Sequence, residues 1–189
     1  MIFGFTKKIA LSSFTLLILN APAASAMDFG ADLSPDSVNF FADTANPDTQ
    51  LNYAGQVLLT EDEGDIFAVK AYYMGPLRAS SAFAGGVGGK LMHADVFDDS
   101  FQALGLGGFL TYSPSNIENL SFRIEAYYSP DIVTSDYPEH VTDITLTAIY
   151  QAFDNAAIYA GFRHINVSAE ENLDGDVDSN AFVGFTIQR

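Results

Sequence analysis

The chain has 189 residues, 48% of them hydrophobic, with 24 acidic and eight basic side chains and a formal charge of −16. So acidic a surface repels nucleic acid and gains nothing electrostatically from anionic headgroups. The absence of cysteine excludes a disulfide scaffold, thiol catalysis and cysteine metal sites.

Lys7-Lys8 precede an apolar run from Ile9 to Leu19 and a small-residue stretch ending Ala24-Ser25-Ala26. Basic, apolar, then Ala-x-Ala is the layout of a secretory signal peptide. The run is too short for a membrane helix, which needs about 20 residues. Cleavage is expected after Ala26, so residues 1–26 are the signal and residues 27–189 form one domain. Lys7 and Lys8 leave with the signal. The domain then sets six basic residues (Lys70, Arg78, Lys90, Arg123, Arg163 and Arg189) against all 24 acids, a formal charge of −18.

Beyond the signal, two-residue alternation of apolar and polar side chains recurs, broken every 8–14 residues by turn residues. That pattern predicts antiparallel β structure. Two short runs, 28–33 and 38–43, suit a first hairpin. Longer runs follow at 51–60, 64–74, 80–93, 101–112, 119–128, 140–151, 155–167 and 179–188. The count is eight to ten strands, even in either case. The run 119–128, "NLSFRIEAYY", alternates most clearly: Leu120, Phe122, Ile124, Ala126 and Tyr128 share one face, and Ser121, Arg123, Glu125 and Tyr127 share the other.

Within the run 80–93 stands "GGVGGK", residues 85–90. It has the glycines and lysine of a phosphate loop but not the spacing, since Ala84 and Leu91 occupy the fixed Gly and Ser/Thr positions. Alternation instead places Gly86, Gly88 and Lys90 on one face. Glycines in a strand mark bends and close approach. They are expected to make room for Lys90 and its charged neighbours, with Glu125 as its candidate partner.

Alternation alone fits a soluble sandwich or barrel, with apolar residues inward, and a transmembrane barrel, with apolar residues facing lipid. Four features favour the membrane. Most runs reach the 9–11 residues that cross an outer membrane at a tilt, whereas soluble strands average about 5–6. Lys70, Lys90, Arg123 and Arg163 stand mid-strand on the face of small and polar residues, opposite Val69, Leu91, Phe122, Ile124, Ile158 and Phe162. Alternate turns also sort by charge. Segments 34–37, 60–65, 93–100, 129–139 and 168–179 hold sixteen of the 24 acids, whereas 44–50, 74–79, 113–118 and 152–154 hold few. Long acidic loops on one rim match the outward loops of a barrel whose termini lie in the periplasm. Tyr72-Tyr73, Tyr112 and Tyr127-Tyr128 precede turn prolines, where an interfacial girdle would place them.

The segments "GGVGGKL" (85–91), "LGLGGFLTYSP" (104–114), "FRIEAYYSPDI" (122–132), "IYAGFRHINV" (158–167) and "FVGFTI" (182–187) resemble the YfaZ family of small outer-membrane proteins. The resemblance spans most of the mature chain, and the part around "EAYYSPD" is the most specific. It implies an all-β fold, an antiparallel up-and-down transmembrane barrel, in a Gram-negative outer membrane. No established activity comes with it. Barrels of this class commonly end on an aromatic residue that the assembly machinery reads. Here the end is Ile187-Gln188-Arg189, with Phe185 the nearest aromatic.

Lys70, Lys90, Arg123, Glu125 and Arg163 are the expected lumen charges. They either pair structurally, because an unpaired buried charge is costly, or line a narrow conducting or solute-binding lumen. Eight strands leave just enough interior for their own side chains, and ten leave little more. "DGDVDSN" at 174–180 lacks the Gly and Glu of a calcium-binding EF-hand, since Ser179 and Phe185 stand at those positions. Glu170, Glu171, Asp174, Asp176 and Asp178 remain candidates for a loose divalent-cation loop binding calcium or magnesium; no other cofactor is expected. His93 lies beside Asp95, His140 beside Glu139 and His164 beside Arg163, and no serine is visibly paired with them. The reading is a monomeric, non-enzymatic barrel with a filled polar lumen and acidic external loops. Its expected partners are outer-membrane lipid, lipopolysaccharide and, during biogenesis, the barrel-assembly machinery. A narrow channel or solute-binding barrel is the alternative, ahead of an outer-membrane hydrolase.

Overall fold

The computed structural model describes residues 26–45, 50–61, 64–76, 82–96, 99–135, 138–168 and 175–189. The expected signal segment up to residue 25 lies outside them. Ten strands follow one another: β1 Ala26–Leu33, β2 Ser37–Ala45, β3 Leu51–Thr60, β4 Gly64–Pro76, β5 Phe83–Val96, β6 Asp99–Tyr112, β7 Leu120–Pro130, β8 His140–Phe153, β9 Ala156–Ser168 and β10 Gly175–Gln188. Each pairs antiparallel with its neighbours in sequence, and β1 pairs with β10, closing the barrel. The count is therefore ten, and the short first hairpin is part of the wall.

Closure leaves no sheet edge, so every strand satisfies its backbone through neighbours on both sides. This is what a strand needs in hydrocarbon, where water cannot replace a missing partner. The outer face is apolar: Val69, Val87, Leu91, Leu106, Ile124, Ile158 and Val183 are exposed on it. Outside a membrane this band would be left in water, so the fold makes sense only with lipid around it.

Two rims follow from the connections. The terminal rim holds both chain ends and the turns after β2, β4, β6 and β8. The acidic rim holds the turns after β1, β3, β5, β7 and β9. Tyr53, Tyr73, Tyr112 and Tyr150 are exposed toward the terminal rim and Tyr128 toward the acidic one. Tyr72 and Tyr127 are buried inside instead. The paired tyrosines thus split between wall and lumen, because successive strand residues point to opposite faces.

Inside, the barrel has two levels. Near the acidic rim, Leu58, Ile66, Met92, Ala94, Val96, Phe101, Ala103, Val141, Ile165, Val167 and Val177 pack as one buried cluster. Beside it, on β1, β2 and β10, and below it the interior is polar and charged. Gly86 and Gly161 make room for aromatic rings and Gly88 for the β4 backbone at Ala71-Tyr72, rather than for charged chains, which corrects the expectation for "GGVGGK". A Cβ on Gly86 would come within 2.5 Å of the Phe109 ring, and one on Gly161 within 2.5 Å of the Phe182 ring. Glycine lets each ring lie flat along the wall, which is the close approach that strand glycines permit.

β10 begins four residues earlier than alternation predicts, at Gly175. Its register with β9 shifts between Asp176 and Asp178, a bulge. Val177 and Asp178 are consequently both buried. The bulge breaks the period of two, and the acids around it read as loop.

Candidate functional site in the barrel interior

All four mid-strand cations point inward. Glu125 on β7 accepts from Lys70 Nζ at 2.7 Å and from Arg123 Nη2 at 2.9 Å. The Arg123 guanidinium also lies 3.7 Å above the centre of the Phe109 ring, a cation–π contact. Lys90 on β5 donates to Asp143 on β8, and both are buried. Glu125, the partner expected for Lys90, is thus taken by Lys70 and Arg123. Alternation assigns a face but not a height along the tilted barrel, so it could not choose between the two acids.

Arg163 on β9 is 3% exposed and joins two acids, Asp32 at 2.7 Å and Asp178 at 3.0 Å. Asp32 also accepts from Asn39 Nδ2 at 2.8 Å, and Asp178 from Ser37 Oγ at 3.1 Å and Asn180 Nδ2 at 3.1 Å. The network ties β1, β2, β9 and β10 together where the barrel closes. Sequence reasoning missed Asp32 and Asp143 as lumen acids. The available signal was an acid on the inward parity: Asp32 shares a face with Asp28 and Gly30, and Asp143 with Val141 and Thr145.

Beneath the apolar cluster lies a cavity of about 220 Å³. Lys70, Arg123, Glu125 and Arg163 line it, with Asp28, Asp32, Asn39, Phe41, Asp43, Tyr159, Phe182 and Thr186. Asp43 accepts from the Tyr72 hydroxyl at 2.6 Å. The arrangement can bind polar or charged groups.

The proposed divalent-cation residues divide. Glu170, Glu171 and Asp174 lie outside the described residues. Asp178 is not a loop residue but a buried lumen acid held by Arg163, and Asp176 on β10 accepts from Asn166 Nδ2 at 3.0 Å. Among the described residues no group of three acids or histidines is arranged to hold a metal ion.

On the outer wall, His164 Nδ1 lies 3.2 Å from Ser179 Oγ and 3.9 Å from Asp176 Oδ1. The structure thus supplies a serine that the sequence did not reveal. Both oxygens face the same ring nitrogen, however, whereas a catalytic triad sets serine and acid on opposite nitrogens. His93 stands 3.7 Å from Asp95, and His140 packs against Tyr128.

The YfaZ family model, described as "YfaZ precursor", matches residues 6–188. No curated protein matches the sequence. Among solved structures, the KdgM porin is similar at 13% identity and a TM-score of 0.46, over 86% of this chain and 98% of its own. A structure of the KdgM porin in complex with disordered oligogalacturonate has the same identity and coverage and a TM-score of 0.47. The outer membrane channel DcaP of Acinetobacter baumannii is 11% identical, with a TM-score of 0.42, over 90% of this chain and 60% of its own.

Proposed function

The chain belongs to the YfaZ family and is an outer-membrane β-barrel protein, and from that premise we propose that it is a closed structural element of the membrane surface rather than an open pore. One observation carries this reading: the eleven-residue apolar cluster that packs inside the barrel near the acidic rim. A water-filled channel needs a continuous polar lining. Here a dry layer of Leu58, Ile66, Phe101 and Ile165, each no more than 1% exposed, fills much of that level, and the buried Arg163–Asp32–Asp178 network fills the side of β1, β2 and β10 beside it. Charges leave water for such a layer only at great cost.

The charged residues below support the same reading. Each mid-strand cation is already held by one or two carboxylates, as expected of a network that braces the wall. With the termini in the periplasm, the acidic rim faces outward and meets lipopolysaccharide through bridging divalent cations. The test is conductance of purified protein in planar bilayers. The wild-type barrel should stay closed, while Leu58→Gly/Phe101→Gly/Ile165→Gly should produce steps. Wild-type steps whose ion selectivity shifts in Arg123→Ala would establish a narrow channel instead.

A further inference from the structure

We infer that the charged cavity along β1 and β2 inside the barrel binds a small organic diammonium ion. One ammonium sits at the Asp28–Asp43 pair, the alkyl chain runs along Phe41, and the other ammonium reaches Asn39. This concerns the charged part of the interior and not the apolar cluster, and is independent of whether the barrel conducts.

The charge count comes first. The described interior holds six carboxylates: Asp28, Asp32, Asp43, Glu125, Asp143 and Asp178. It holds four cations: Lys70, Lys90, Arg123 and Arg163. Those four are engaged by Asp32, Glu125, Asp143 and Asp178. Asp28 and Asp43 remain, directly opposite each other on β1 and β2, with no ion pair among the described residues. Lys70 and Arg123 act on Asp43 only from beyond ion-pair distance. Two carboxyls therefore face each other in a partly desolvated space without a cation between them, and an ammonium there relieves their repulsion.

The second observation is independent of charge. Asp28 Oδ1, Asn39 Oδ1 and Thr186 Oγ1 are buried oxygens with no hydrogen-bond partner, and all three residues line this one cavity. Asn39 is only 4% exposed. Folded proteins seldom leave such atoms unmatched, and an ammonium brings three donors.

The layout selects the ligand's shape. On β1 the inward residues run Asp28, Gly30, Asp32, and opposite them on β2 stand Asp43, Phe41, Asn39. Besides Thr186, which pairs with Gly30 midway, the acceptors lie at two levels about 13 Å apart along the strands, separated by an aromatic ring over a glycine. A flexible alkyl chain with a cation at each end matches polar, apolar, polar. The volume equals about seven waters at about 30 Å³ each, ample for such a molecule. A bare metal ion fits less well, because the described residues offer no three-ligand group.

The experiment is calorimetric titration of the refolded full barrel in zwitterionic detergent. The probes are 1,4-diaminobutane, 1,6-diaminohexane, butylamine and sodium chloride at matched ionic strength. A diamine should bind saturably, at least tenfold tighter than butylamine. Asp28→Asn/Asp43→Asn should weaken it at least tenfold in protein that keeps heat-modifiable gel mobility. Asn39→Leu leaves every charge in place and should weaken it several-fold, which gives the reading where the double variant does not fold. Absence of saturable binding by either diamine would overturn the inference, as would equal affinity for butylamine or unchanged affinity in both variants. Bilayers that stay closed in the same preparation would keep that failure separate from the closed-barrel reading.

Discussion

Lys90 and Asp143 allow the interior network to be tested as energy. They join β5 to β8 across the lumen, and β6 and β7 lie between those strands in the wall. Lys90 is 3% exposed and Asp143 6%. Removing one partner leaves the other charge buried and uncompensated, which costs about 3–5 kcal/mol. Lys90→Met should therefore lower the folding equilibrium constant by roughly two to three and a half powers of ten. Asp143→Leu should do the same from the other side. The pair together, Lys90→Met/Asp143→Leu, removes both charges and leaves apolar groups of similar bulk. It should recover most of either loss, because exchanging a buried ion pair for packed apolar groups is often neutral. The assay is urea unfolding in lipid vesicles, with the folded fraction read from gel mobility, since the chain has no tryptophan to report it. A double-mutant cycle then yields the coupling directly. Single variants costing under about 1 kcal/mol would show the pair to be solvated. Losses that simply add in the double variant would show that the two side chains do not act on each other.

The other sites should rank by how many partners each change strands. Arg163→Ala isolates both Asp32 and Asp178 at the seam of the barrel, so in the same urea assay it should be at least as destabilising as Lys90→Met. Lys70→Ala leaves Glu125 still held by Arg123 and should cost less, about 1–3 kcal/mol. Gly86→Val should drive a side chain into the Phe109 ring, costing about 1–3 kcal/mol or blocking refolding, and Phe109→Leu in the same chain should restore part of the loss. Calcium and sodium compared at matched ionic strength test the acidic rim: a specific gain in thermal stability with calcium, reduced by Asp174→Asn/Asp176→Asn, is expected if bridging cations gather there.

The wall of this barrel is legible because a strand has a period of two, and one face must meet lipid while the other does not. Val69 against Lys70, or Phe122 against Arg123, declares the face without any structure. The sorting of acids into alternate turns adds the rims. What the period cannot supply is the relative height of residues on different strands, since tilt and stagger are set only when β1 meets β10. Lys90 therefore meets Asp143 and not Glu125, though both acids share its face. Where the period itself fails, at the bulge between Asp176 and Asp178, the four strand residues 175–178 pass for loop, and a buried partner of Arg163 passes for an ion-binding acid. The glycines mislead for a related reason. A Gly opposite a large residue on the next strand reads as empty space, and whether a lysine or a ring fills it depends on cross-strand register. Gly86 pairs with Phe109 and Gly30 with Phe41, so rings occupy both places. The same register sets Asp28 against Asp43, which alternation shows only as two separate inward acids. An excess of carboxylate at one height is a property of the closed barrel, so titration with diamines and not inspection of the sequence decides what it holds.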